Sequence, residues 1–191
     1  MNEELKQEIK KSLEVLKNGG IILYPTDSVW GIGCDATNSE AVKKIYALKK
    51  RIESKSMILL VDVESRILSY VREVPEQAWQ LIEFAERPIT IIYDEAKNLP
   101  ENLVAEDGSI AIRVTNDEFC KNLLGLFRKP IVSTSANISG APSAKTFKEI
   151  SEEIKNGVDY IVQWRQNDNR PTTPSTIVRL RKGGVFEFIR K

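Results

Sequence analysis

Histidine is absent from the chain. That absence excludes Ser-His-Asp and Cys-His nucleophile systems, histidine metal sites and histidine general bases. Cysteine is scarce: Cys34 and Cys120 stand in no metal-like spacing, so neither a disulfide framework nor a zinc site is expected, and a reducing compartment is. No long apolar run occurs, and Met1 to Lys17 is acidic and basic by turns. Neither a signal peptide nor a membrane span is therefore expected, and the expected location is cytoplasmic. Surplus charge is missing as well, with 28 Lys and Arg against 27 Asp and Glu. No whole-molecule field recruits a polyanion, so any polyanion site has to be local and small. A length of 191 residues suits one sizeable core, and a single domain over 1–191 is the expectation.

The tools that remain are lysine, arginine, hydroxyls, backbone N–H groups and a carboxylate-bound Mg²⁺, a set suited to holding phosphates and aligning reactants. The stretch Gly19 to Gly33 organises the rest. Ile21 to Tyr24 form a short apolar run between glycine and proline, the pattern of an interior strand, and Pro25 withholds the N–H that would continue it. Thr26, Asp27 and Ser28 follow, where open α/β sheets bind ligands beyond their strand ends. The same three residues also suit a plain turn that satisfies its own backbone.

Helical spacing of Leu5, Ile9, Leu13 and Leu16 predicts a helix over 2–17, and Asn38 or Ser39 caps a second one that ends in the basic run Lys49-Lys50-Arg51. Strands are expected at 57–61, 89–93, 109–114, 130–133, 160–162, 176–180 and 185–189, and helices at 64–72, 75–86, 117–124 and 146–156. Residues 164–174 read as a mobile loop. Lys49, Arg51 and Lys55 are delivered to one helix-to-strand junction, Arg113 and Arg190 lie near other element ends, and Thr26, Ser133 and Ser175 open hydroxyl clusters at strand ends. Thr134 to Gly140 forms a second hydroxyl- and amide-rich turn suited to an anion.

Tyr24-Pro25-Thr26-Asp27-Ser28-Val29-Trp30-Gly31-Ile32-Gly33, Lys49-Lys50-Arg51, Ser135-Ala136-Asn137 and Ser175-Thr176-Ile177-Val178 stand in the order found in YrdC-like proteins, which the chain resembles over nearly its whole length. The resemblance is to the single-domain threonylcarbamoyl-AMP synthases; the larger relatives carry a further C-terminal domain. It implies an α/β fold with a twisted mixed β-sheet flanked by helices around a deep, positively lined cavity. It also implies a nucleotidyltransferase reaction in which L-threonine, bicarbonate and ATP give L-threonylcarbamoyladenylate and pyrophosphate, for threonylcarbamoyladenosine in tRNA. Mg²⁺ accompanies ATP. Contact with tRNA or double-stranded RNA, and with downstream proteins that transfer the threonylcarbamoyl group to tRNA, is implied too, and no membrane partner is.

Carried over by position, Thr26 contacts threonine, Lys49 and Arg51 hold the triphosphate and stabilise departing pyrophosphate, and Ser135 and Asn137 fix the nucleotide phosphates. Arg113, Ser133, Ser175 and Arg190 are implied as nucleotide or threonine contacts. Asp27 reads either as a base for the threonine amine or as a turn carboxylate. The sequence departs from the family pattern at Trp30, which replaces tyrosine, at Glu86 to Thr90, which replaces a Trp-Pro-Gly-Pro-Leu-Thr run, and at Ser56 and Thr134, which replace prolines. YciO-type proteins share the opening motif and lack the Lys49, Arg51, Ser135 and Asn137 set, whose presence favours the synthase. The alternatives are a YciO-like protein and an RNA-binding module without the activity, and near-neutral charge counts against the module.

Overall fold

A computed structural model describes residues 2–52, 57–170, 172–181 and 183–191; Lys55 and Ser56 fall outside them. Helix α1 (Glu3–Lys17) starts where the Asn2 side chain accepts the Leu5 N–H at 2.8 Å, and it buries Leu5, Ile9 and Leu16 on one stripe. The chain reverses through Gly19, whose φ of +72° is open to glycine, and enters β1 (Ile22–Tyr24). Strand β2 (Gly31–Gly33) pairs back antiparallel on β1. Nothing in the sequence marks β2, because two glycines in three residues carry no strand propensity. Their reason is steric: the Tyr24 ring crosses β2, and its hydroxyl donates to the Val132 carbonyl beyond at 3.2 Å. A Cβ on Gly33 would lie 2.5 Å from that carbonyl oxygen and 2.7 Å from the Tyr24 ring.

Asn38 caps α2 (Ser39–Lys49), accepting from Glu40 and Ala41, and Lys50 ends it with a φ of 51°. Strand β3 (Ile58–Val61) follows, then a 3₁₀ turn over Glu64–Ser69 in place of the expected α-helix, and a shorter α3 (Gln77–Glu83). Strands β4 (Ile89–Tyr93) and β5 (Ile110–Val114) precede α4 (Glu118–Phe127), capped by Asp117. Strand β6 (Ile131–Ser135) runs two residues further than its apolar run. The helix expected over 146–156 is broken, with a 3₁₀ turn at Phe147–Glu149 and then α5 (Glu152–Asn156), which Ser151 caps afresh. Strands β7 (Tyr160–Ile161), β8 (Thr176–Leu180) and β9 (Phe186–Arg190) complete one sheet in the order β7-β1-β2-β6-β3-β5-β4-β8-β9.

The sheet is mixed: β1–β7, β3–β5 and β4–β8 run parallel, and the other neighbours antiparallel. Each face has its own core. Ile21, Leu23, Leu59 and Val132 pack with Val42 and Ile45 of α2 on one side. On the other, Ile22, Tyr24, Leu60 and Ile131 pack with Leu5, Ile9 and Leu16 of α1 and Phe119, Leu123 and Phe127 of α4. Alternate residues of β1 thus enter opposite cores, as expected of an interior strand. Both cysteines are free and buried, and burial pushes the Cys34 thiol well above its ordinary range. Among the described residues no helix is long and apolar enough to cross a membrane.

Candidate functional site

Helices α1 and α4 cover only part of their face of the sheet. Residues of that face alternate with core residues, so the register fixes which side chains stand in the uncovered part. Leu60, under the helices, pairs with Arg113, while Ile58 pairs with Ala111 and with Ser133. Two residues on from Ser133, Ser135 pairs with Gly31. All of these but Leu60 line a hollow of about 270 Å³, joined by Ser28, Arg51, Ser143, Ser175 and Arg190. The hollow therefore opens on a face of the sheet and takes in Ser28 of the turn beyond β1.

Arg113 is the deepest charge lining the hollow, 3% exposed. One terminal nitrogen donates to the Ser28 hydroxyl at 2.7 Å, and the other lies 3.5 Å from the Ser133 hydroxyl and 3.6 Å from the Asp27 carboxylate. Asp27 is itself held, its second oxygen accepting from the Thr115 hydroxyl at 3.0 Å and the Asn116 N–H at 2.9 Å. These bonds make Asp27 the counter-charge that fixes Arg113 and joins the end of β1 to the end of β5.

Arg190 stands at the opposite wall, donating to the Ser175 carbonyl at 3.0 and 2.8 Å, and the Ser175 hydroxyl lies 2.8 Å from that of Thr90. Desolvation and then the facing Arg113 lower the Arg190 pKa from its ordinary value, and desolvation lowers that of Arg51. Like charges turned towards one desolvated volume are relieved by an anion. Three guanidinium groups and five serine hydroxyls offer the donors that suit a phosphate or carboxylate. Among the described residues no group of three His, Cys, Asp or Glu side chains could hold a metal ion.

Of the residues singled out from sequence, Arg51, Arg113, Ser133, Ser135, Ser175 and Arg190 share the hollow, and Lys49, Asn137 and Thr26 do not line it. Lys49 lies behind the wall, 1% exposed, donating to the Ser135 carbonyl and, at 2.6 Å, to that of Asn137. The Ser139 N–H returns a bond to the Lys49 carbonyl at 2.8 Å. The Asn137 amide donates to the Ile138 and Ala141 carbonyls and folds the same loop. The basic junction after α2 and the 135–139 turn are thus one unit, with Arg51 and Ser135 presented on its inner side. Thr26 faces an adjoining cleft, its hydroxyl donating to the Val29 carbonyl at 2.8 Å and accepting from the Ser28 N–H at 2.9 Å. Ser28, from the turn singled out beyond β1, also joins the site, and so does Ser143, whose only signal is its place in a hydroxyl-rich turn.

A mixed sheet flanked by helices, with guanidinium and hydroxyl groups on one uncovered face, defines the class, a mixed α/β fold. The Sua5/YciO/YrdC family profile, which carries the description telomere recombination, matches residues 14–191. A threonylcarbamoyl-AMP synthase of Pseudoalteromonas translucida (strain TAC 125) is 36% identical over 181 residues, 93% of this chain and 96% of that protein. Among solved structures, P. abyssi Sua5 complexed with L-threonine superposes with a TM-score of 0.82 at 26% identity over 94% of this chain. A variant of the same protein gives 0.87 at 25% identity over 99%. The chain spans 52% and 57% of those two longer chains. The chain belongs to the Sua5/YciO/YrdC family.

Proposed function

We propose that the hollow joins L-threonine, bicarbonate and ATP, supplied as its Mg²⁺ complex, into L-threonylcarbamoyladenylate with release of pyrophosphate. The observation that carries this reading is the convergence of Arg51, Arg113 and Arg190 with serine hydroxyls on one sheet face, in a chain without histidine. The reaction needs no protein nucleophile. The neutral amine of threonine attacks the carbon of CO₂, opening one C=O bond and releasing its proton to water, or that of bicarbonate, whose hydroxyl leaves with the amine proton as water. Either way a carbamate forms, and a carbamate oxygen attacks the α-phosphorus of ATP while the bond to pyrophosphate breaks. The chain's part is alignment and charge stabilisation.

In this reading Arg51 and Ser135 take the phosphates, with Lys49 and Asn137 setting the loop that presents Ser135. A direct phosphate contact by Lys49 would first require release of its two carbonyl bonds. Arg113, Ser133, Ser175 and Arg190 orient the threonine carboxylate or the nucleotide, and the Thr26 hydroxyl meets threonine from the adjoining cleft. Mg²⁺ stays on phosphate oxygens and water, as its coordination favours. The product, an acyl-phosphate anhydride, calls for an acceptor, and tRNA through downstream transfer proteins is the one proposed. Incubation with threonine, bicarbonate and Mg-ATP is expected to release pyrophosphate only when all three are present, measured by a coupled phosphate assay. Release without threonine overturns the reading. Arg113→Met is expected to lower the rate about a hundredfold or more.

A further inference from the structure

Arg165 has no place in the reaction above, yet it grips the frame of the site. Its backbone adopts a left-handed φ of 64°, which a non-glycine residue rarely holds unless its surroundings fix it. Its side chain forms an ion pair with Asp117 and a longer one with Asp168 at 3.7 Å, and both terminal nitrogens lie 3.5 Å from the Thr26 carbonyl oxygen. Asp117 is 9% exposed and caps α4 by accepting the Cys120 N–H at 3.0 Å. It directly follows Thr115 and Asn116, which hold Asp27.

The turn after β1 is thus clasped from both sides. Residues 115–116 fix the Asp27 carboxylate, and Arg165, anchored on Asp117, fixes the preceding carbonyl. From Thr26 the contacts run on through its hydroxyl to the Ser28 N–H, and from the Ser28 hydroxyl to Arg113 in the hollow.

We propose that Arg165 is a positioning residue, with Asp117 as its anchor, that sets the Thr26–Ser28 turn for threonine without touching the reacting atoms. The role assigned to threonine rests on the function proposed above, while the clasp itself rests on geometry alone. The variants are Arg165→Met and the double variant Asp117→Asn with Arg165→Met. In the double variant asparagine keeps the cap of α4 and leaves no buried carboxylate unpaired.

Both are expected to raise KM for threonine about tenfold while KM for ATP stays within about twofold. Amide hydrogen exchange at Ser28 is expected to quicken about tenfold in both. Unchanged exchange at Ser28 overturns the proposal whatever the substrate. Equal rises in both KM values, tracking a fall in Tm, overturn it as well, because a merely structural role moves the two together. Should the wild type release no pyrophosphate on addition of threonine, the reaction is refuted, and the exchange result still decides the clasp.

Discussion

Lys49 donates into two carbonyls while buried behind the wall of the hollow. Burial, and then the neighbouring Arg51 charge, pull its pKa down to about 8 from the ordinary 10.5. The folded chain therefore gives up this proton near pH 8, and the unfolded chain keeps it until about pH 10.5. Between those limits unfolding takes up a proton, so the Lys49 contribution to stability rises with pH across that window and is least below it. Titration of tyrosine and cysteine overlaps the window, and subtracting the Lys49→Met variant isolates the lysine. Urea unfolding at pH 7.5 and 10 is expected to move the wild-type minus variant difference in favour of the wild type by at most about 3 kcal/mol. A flat difference would place the ammonium pKa near its ordinary value.

Among the elements, β2 is the one that admits no side chain where the Tyr24 ring crosses it. Gly33→Ala would drive a methyl into the Val132 carbonyl and the Tyr24 ring, neither of which has room to yield, at an expected loss of about 2–3 kcal/mol. Gly125, inside α4, meets only Asp62 at 3.9 Å, so Gly125→Ala is expected to stabilise by about 0.5–1 kcal/mol. Thermal or denaturant melts of the two variants read both signs. Elements with a strong local pattern were legible in the sequence: α1 from its apolar stripe, α2 and α4 from their caps, and the strands other than β2 from apolar or weakly alternating runs, most of them beside a glycine or proline. β2 was not, because its reason lies in the ring of a neighbouring strand. The break at Ser151 was not either, since the apolar spacing runs on while the serine starts a new cap.

At the scale of the whole molecule, a hollow on one sheet face ties ligand binding to folding. Mg-ATP at a hundredfold excess over its Kd is expected to add about 2.7 kcal/mol, seen as a rise in Tm of several degrees. Added salt, screening the guanidinium groups at the mouth, is expected to shrink the rise. No rise at low salt would refute nucleotide binding. Six of nine residues singled out from sequence meet in the hollow, because the β-strand period puts Ser133 and Ser135, with Arg113, on one side. The inward turn of Lys49 was not legible: it depends on a loop nearly ninety positions away.

The opening motif and α1 before it are fastened by late parts of the chain. Asp159 accepts the Ile21 N–H at 2.7 Å, Glu8 accepts from the Tyr160 hydroxyl and the Gln163 N–H, and Arg165 reaches Thr26. During synthesis the opening motif therefore leaves the ribosome long before its fasteners. A nascent chain of 150 residues already holds Arg51, Arg113 and the 115–116 side of the clasp, but neither Arg165 nor the Ser175 and Arg190 wall, so the hollow is completed only by the segment beyond residue 150.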